Sequence, residues 1–174
     1  MKFCVNTDKN NSWYIGTNEF DSKNINKIET LMFQGNGYFG MRAASEERQL
    51  NEKRDMFVSG TFDAFPDEVT ELPNLPDLLN MDISIDGESL CLKDGLVENY
   101  HKYLNLKNGE LIRKFDWTIH GKTVGFKFSR FVSMKSRHLF VSKLELVANH
   151  DNLNVQIKSG IDGQQSNSGS QHLM

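Results

Sequence analysis

The residues of this chain with the types best suited to acid–base chemistry are three groups of neighbouring carboxylates: Glu46-Glu47, Asp67-Glu68, and the run from Glu71 to Asp77. Cleaving a glycosidic bond needs one carboxylic acid to protonate the leaving oxygen and a second group acting on the opposite face of the sugar. Adjacency along the chain does not set two carboxyl groups across a sugar, so all three groups read as solvated loops. The histidines, His101, His120, His138, His150 and His172, have no metal-ligand spacing. His120 before Gly121, and Asn149-His150-Asp151, read as polar turns. Gly35, Gly37 and Gly40 fit G-x-G-x-x-G. No apolar parallel strand precedes them, no βαβ unit follows, and the Lys-Ser/Thr of a phosphate loop is missing, so the string reads as a turn. Ser168, between Asn167 and Gly169, is no nucleophile elbow, because it sits in a polar tail. Cys4 and Cys91 lie in apolar surroundings and read as inert core positions. The residues assemble no active site.

The elements that would position these groups are mostly strands. Met81, Ile83 and Ile85 alternate with polar residues, and Asp86-Gly87 supplies a hairpin turn. Leu111, Phe115, Trp117 and Ile119 share one face of a strand, interrupted by Arg113, which with Lys114 reads as a solvated strand face. His120-Gly121-Lys122 turns the chain into Val124, Phe126 and Phe128. Leu139 to Val147 and Leu153 to Ile157 are further strands. Trp13-Tyr14-Ile15, followed by Gly16, reads as a short strand and turn, and Met56 to Phe62 as a strand entering a loop. Ile25 to Phe33 fits a strand or a helix. Ser45 to Arg54 fits a short helix capped by Ser45 or a solvated loop. Asp63 to Leu79, with Pro66, Pro73 and Pro76, reads as a long ordered surface loop. Several strands at hairpin spacing imply an all-β, mainly antiparallel fold, a sandwich before a barrel, with at most short helices.

Bulk composition sets the remaining bounds. The 174 residues are 38% hydrophobic and 25% charged, as expected for one folded domain. A net charge of −3 with no basic stripe argues against a nucleic-acid partner. Two cysteines without CxxC spacing imply neither a disulfide framework nor a zinc site, and fit a reducing, cytoplasmic setting. No run approaches the roughly 20 apolar residues of a membrane span. The Gly/Ser/Asn-rich stretch after Ile157 fits a flexible linker or a loop whose next strand is missing.

Several strings are more specific. Gly35-Asn36-Gly37-Tyr38-Phe39-Gly40-Met41-Arg42, then Glu46-Glu47, resembles the opening signature of the family 65 glycoside hydrolases. Gly60-Thr61-Phe62-Asp63 with Glu71-Leu72-Pro73-Asn74-Leu75-Pro76-Asp77 is similar to the next landmark. Leu104 to Leu111, Ser129 to Ser133, Ser159 to Gln164 and Asn167 to His172 continue the resemblance along essentially the whole chain. Most members of that family are inverting disaccharide phosphorylases acting on maltose, kojibiose, nigerose or trehalose.

The resemblance implies a large N-terminal β-sandwich of the supersandwich type over residues 1–174, with the chain stopping within or just after it. A catalytic (α/α)6 barrel, carrying the general-acid Glu and the phosphate site, would follow beyond Met174. No catalytic residue, metal or organic cofactor is then expected in this chain. Inorganic phosphate would be the co-substrate, and β-glucose 1-phosphate and glucose the products, with maltose as the expected disaccharide. The expected partners are the protein's own barrel and a second copy in a homodimer, with no nucleic acid and no membrane. Gly35, Asn36, Gly37 and Arg42 are expected to pack against the barrel, and Asn74 and Asp77 to cap a loop at the domain interface or active-site rim. Other readings are a family 65 hydrolase, a sandwich that only mediates oligomerisation, and a stand-alone carbohydrate-binding sandwich. The last would use Trp13, Tyr14, Tyr38, Tyr100 and Tyr103 as stacking platforms, with Trp117 in the core.

Overall fold

A computed structural model describes residues 4–5, 13–48, 52–64, 67 and 69–167, the first two by backbone alone. The elements in chain order are β1 (Cys4–Val5), β2 (Tyr14–Thr17), α1 (Ile25–Leu31), β3 (Gln34–Gly35), β4 (Phe39–Met41) and β5 (Met56–Val58). There follow β6 (Met81–Ile85), β7 (Glu88–Ser89), β8 (Leu96–Asn105), β9 (Glu110–Ile119), β10 (Lys122–Val132), β11 (Phe140–Ala148) and β12 (Val155–Ser159). Every strand pairing is antiparallel. The all-β expectation therefore holds, with α1 the single α-helix among the described residues.

A six-stranded sheet in the order β1-β2-β8-β9-β10-β11 forms the base. A three-stranded sheet, β12-β6-β7, lies over one half of its inner face, and a second, β3-β4-β5, joins α1 and the described loop residues between 42 and 80 over the other half. The two hairpin turns read from the sequence are both present. Asp86-Gly87 (φ 51° and 87°) and His120-Gly121 (φ 50° and 76°) place two successive residues in the left-handed region, as a type I′ turn requires.

The first half of the inner face is an apolar core. Tyr100, Phe115, Trp117, Val124, Phe126 and Phe128 meet Ile83, Ile85, Leu90 and Leu92 from the smaller sheet. Phe115 and Phe126 stack with centroids 5.2 Å apart, and Phe126 and Phe128 at 6.2 Å. Trp117 is core, as expected, and its indole N–H donates to the Asp94 carbonyl at 2.8 Å. Tyr100 is also core at 8% exposure, which removes it from the stacking candidates. Trp13 is exposed, Tyr14 meets Tyr103 edge to face, and Tyr38 lies against the His138 ring. The second half of the inner face buries Ile28, Met32, Ala43, Leu104 and Leu111, with Met41, Ala44, Met56, Leu79 and Val132 beside them.

Some local expectations need correction. Ile25–Leu31 is helix, burying Ile25 and Ile28 on one side. Ser45 caps no helix: the described residues of 45–54 are irregular, and the Ser45 N–H donates to Glu52 Oε1. Gly16 is not a turn but a strand position crossed closely by β8. A Cβ there would stand 2.3 Å from the Lys102 carbonyl oxygen, so only glycine fits. Cys91 is only half-buried, and the Cys4 side chain lies outside the described residues, as do Glu68, Pro66, Ser168 and His172.

Candidate functional site

Between the two apolar halves, the inner face of the large sheet carries a ribbon of cations. β8, β9 and β10 present Lys102, Arg113 and Arg130 at the same alternation positions as Tyr100, Phe115 and Phe128. Arg113 therefore does not interrupt the β9 pattern; it continues it inward, and only Lys114 faces solvent. The exposures of Lys102, Arg113 and Arg130 are 4%, 2% and 1%. An unpaired cation at such depth is very costly, so acids must reach it.

Glu46 and Glu47 supply those acids. They are 3% exposed, and the expectation of a solvated pair is overturned. Arg113 Nη1 donates to Glu47 Oε1 at 2.6 Å, and Arg113 Nη2 donates to Glu46 Oε2 at 2.8 Å and to Glu47 Oε2. Arg130 Nη1 donates to Glu46 Oε1 at 2.9 Å. The Arg113 guanidinium also lies over Phe128, 4.5 Å from its centroid, where the ring face favours a cation. The Lys102 ammonium donates to the Ala43 carbonyl. Burial pushes the Glu46 carboxyl upward, but Arg130, Arg113 and Lys102 outweigh it and hold the group below its ordinary value. All four oxygens of this pair are engaged. Glu46, held below its ordinary value, lacks the raised pKa of a general acid, and both oxygens of Glu47 are taken up by Arg113.

A second cluster ties the loops together. Arg54 Nε donates to Asp77 Oδ2 at 2.6 Å, while its other nitrogens reach the Ser45 and Glu46 carbonyls and Glu52. Asp77, 0% exposed, also accepts the Leu79 N–H at 2.8 Å and pairs by backbone with Asp162. It too is no solvated loop residue. Asn74 Oδ1 accepts the Met56 N–H at 2.8 Å, so this residue caps β5. Asn36 is buried, donates to the Ser133 and Arg137 carbonyls and accepts the Tyr38 and Phe39 N–H groups. Gly35 pairs with Gly40 under the Phe33 ring, and Gly37 turns with φ 82°. Arg42 donates to the Asn26 carbonyl and pairs with Glu29 and Asp55. The six residues singled out in the sequence thus all lie in the loop layer, with Gly35, Asn36 and Gly37 in one hairpin and Asn74 and Asp77 in one loop. The stretch after β12 is held there as well: Arg48 pairs with Asp162, and Asn167 donates to Glu71 and to the Leu72 carbonyl.

Glu29 stands apart. Its side chain is fully buried, yet Oε1 has no hydrogen-bond partner and Arg42 is 3.4 Å from Oε2. Burial, with the nearby Glu52 charge, raises its carboxyl to about 7. A carboxyl raised on folding contributes stability that is complete below the unfolded value near 4.5 and is lost as pH rises through about 7. That is a loss of roughly 3 kcal/mol. Glu29→Gln removes this dependence. Urea denaturation from weakly acidic to neutral pH should show the variant gaining on the wild type by about that amount; parallel profiles would contradict the assignment.

No group of three or more metal-ligating side chains occurs among the described residues, and no helix there is long and apolar enough to cross a membrane. The arrangement can hold a loop layer on a sandwich; it presents no pair of free carboxyls to a substrate.

Residues 15–174 match the model of the glycosyl hydrolase family 65 N-terminal domain. The chain is 44% identical over 164 residues to a kojibiose phosphorylase of Halothermothrix orenii, covering 94% of this chain and 21% of that protein. It is 36% identical to a kojibiose phosphorylase of Escherichia coli, covering 88% and 20%. It thus spans about a fifth of the length of the curated relatives it matches. Relatives named nigerose, trehalose and maltose phosphorylase are similar at 29%, 27% and 26% identity. A putative kojibiose phosphorylase from the human microbiome shares the fold, with a TM-score of 0.76 at 18% identity over 83% of this chain and 21% of that one. Together with the sandwich and its loop layer, the match over nearly the whole chain shows that this protein belongs to the glycosyl hydrolase family 65 N-terminal domain family.

Proposed function

We propose that this chain is the non-catalytic N-terminal domain of an inverting disaccharide phosphorylase, and that its role is to brace a catalytic domain. The observation that carries the reading is the state of Glu46 and Glu47: the best-placed carboxylate pair is consumed by Arg113 and Arg130. A group so engaged can neither protonate a leaving oxygen nor direct phosphate onto an anomeric carbon.

The reaction assigned to the whole enzyme is attack of phosphate on an α-glucosyl disaccharide, giving β-glucose 1-phosphate and glucose, in the cytoplasm and without metal or organic cofactor. Kojibiose is the favoured substrate, because relatives of that name are similar at 44% and 36%, against 26% for a maltose phosphorylase. The loop layer is the surface offered to the catalytic domain. In this reading Gly35, Asn36, Gly37, Arg42, Asn74 and Asp77 are positioning residues, which hold that surface in shape. A homodimer of the whole enzyme completes the proposal.

The test has two arms. The 174-residue chain, incubated with phosphate and each of kojibiose, nigerose, trehalose and maltose, should release no glucose 1-phosphate; release would overturn the non-catalytic role. The full open reading frame that encodes the chain should phosphorolyse kojibiose fastest. Hydrolysis, or preference for another of the four sugars, would overturn the assigned reaction or substrate.

A further inference from the structure

We propose that the outer face of the large sheet carries a binding groove for a sugar bearing one anionic group, built by Asn99, His101, Lys114, Asp116 and Gly125. Neither the ionic ribbon nor the loop layer uses this face, and the inference holds whichever disaccharide the enzyme cleaves.

The groove is an open depression of about 510 Å³ across β8 to β11. Gly125 makes its depth. It is flanked by Asp116 and Val147, and with no side chain there the strand backbone at Phe115 and Phe126, whose rings point into the core on the other face, forms the floor. A Cβ at Gly125 would stand 3.1 Å from Asp116 Oδ1, so that oxygen faces the depression. The other oxygen, Oδ2, accepts the Asn99 side-chain amide at 2.7 Å. Asn99 reaches it because the register slips between Glu98 and His101, which puts Asn99 at φ 52°. Bulges of this kind re-aim side chains. His101 is tethered at Nδ1 to Asn18 Oδ1, 2.7 Å away, which leaves Nε2 for a ligand. Partial burial and the Lys114 charge lower its pKa, favouring the neutral ring that can exchange hydrogen bonds with hydroxyls.

Charge selects the ligand further. One cross-strand row runs His101, Lys114, Lys127, Glu145. Lys127 and Lys143 both pair with Glu145, at 2.8 and 3.0 Å. Lys114 sits in the middle of the row and makes no ion pair among the described residues. The groove therefore offers one cation without an ion pair, Lys114, beside the Asp116 carboxylate, which holds only the neutral Asn99 amide, and a neutral imidazole. Hydroxyls suit Asp116 and His101, the exposed Val147 side chain suits the C–H face of a pyranose, and one phosphate or carboxylate suits Lys114.

The test is an NMR titration of the 15N-labelled chain with glucose 1-phosphate, glucuronate, glucose and inorganic phosphate, following the amides of Lys114, Asp116 and Gly125. At least one charged sugar should saturate these shifts at millimolar concentration or below, and the tighter of the two identifies the anionic group. Glucose and phosphate alone should bind at least about tenfold more weakly. Lys114→Gln, an exposed change, should weaken the charged sugar about tenfold and leave the glucose response unaltered. Asp116→Asn should weaken both. The proposal is overturned if neither charged sugar gives saturable shifts, if phosphate binds as tightly as glucose 1-phosphate, or if Lys114→Gln changes nothing.

Discussion

Arg113→Met should destabilise the fold by about 3–5 kcal/mol, the cost of removing one partner from a buried ionic cluster. The substitution keeps much of the side-chain volume and the contact with Phe115 and Phe128. It removes three donated hydrogen bonds and leaves Glu47 with neither of its Arg113 contacts. For a domain whose whole stability is about 5–15 kcal/mol, the change consumes a large fraction. Thermal denaturation should shift downward by roughly 6–20 °C. Arg113→Lys should recover little, because an ammonium cannot reproduce the planar fork that serves two carboxylates at once. A shift within a degree or two for either variant would show that the ribbon contributes nothing to stability.

Phe126→Ala should cost a similar amount, about 3–5 kcal/mol, for a different reason. Its ring stacks on Phe115 and Phe128 and meets Trp117 edge on, with centroids 6.5 Å apart, and its residue is 2% exposed. Truncation leaves a cavity that neither sheet can close. Phe126→Leu, which retains most of the volume, should cost under about 1.5 kcal/mol. Hydrogen exchange separates the two sites. Phe126→Ala should expose amides of β6, β9 and β10 together, since all border the cavity. Arg113→Met should first release residues 42–47 and 77–81, which the charges tie to the sheet. If both variants raise exchange uniformly, the two halves of the inner face are one cooperative unit.

How far the sequence carried these conclusions depends on where each interaction lies along the chain. The hairpins at Asp86-Gly87 and His120-Gly121 were legible because turn chemistry and period-2 alternation are both local. β8 was not legible. Its bulge breaks the alternation at Asn99, and its inward positions Tyr100, Lys102 and Leu104 include a lysine, so no apolar stripe is visible. The ionic ribbon escaped for a related reason. Glu46 and Glu47 look like any solvated pair, because their partners stand 66 and more residues away. The signal that could have found them is on the other side: Arg113 between Leu111 and Phe115, and Arg130 between Phe128 and Val132, occupy apolar strand faces where a cation requires a buried acid. The six residues Gly35, Asn36, Gly37, Arg42, Asn74 and Asp77 came from family resemblance. Their hydrogen bonds reach as far as residues 133, 137 and 162, which local pattern does not encode.

Glu46 and Glu47 anchor the loop layer by binding Arg113 and are not chemical groups held in reserve. The most direct measurement is a double-mutant cycle on stability, combining Arg113→Met with Glu46→Gln and Glu47→Gln. The expected result is strong coupling: the combined variant should be less destabilised than the sum of its parts by about 2–3 kcal/mol, because removing the acids relieves the charge that Arg113→Met strands. Simple additivity, within about 0.5 kcal/mol, would contradict the account.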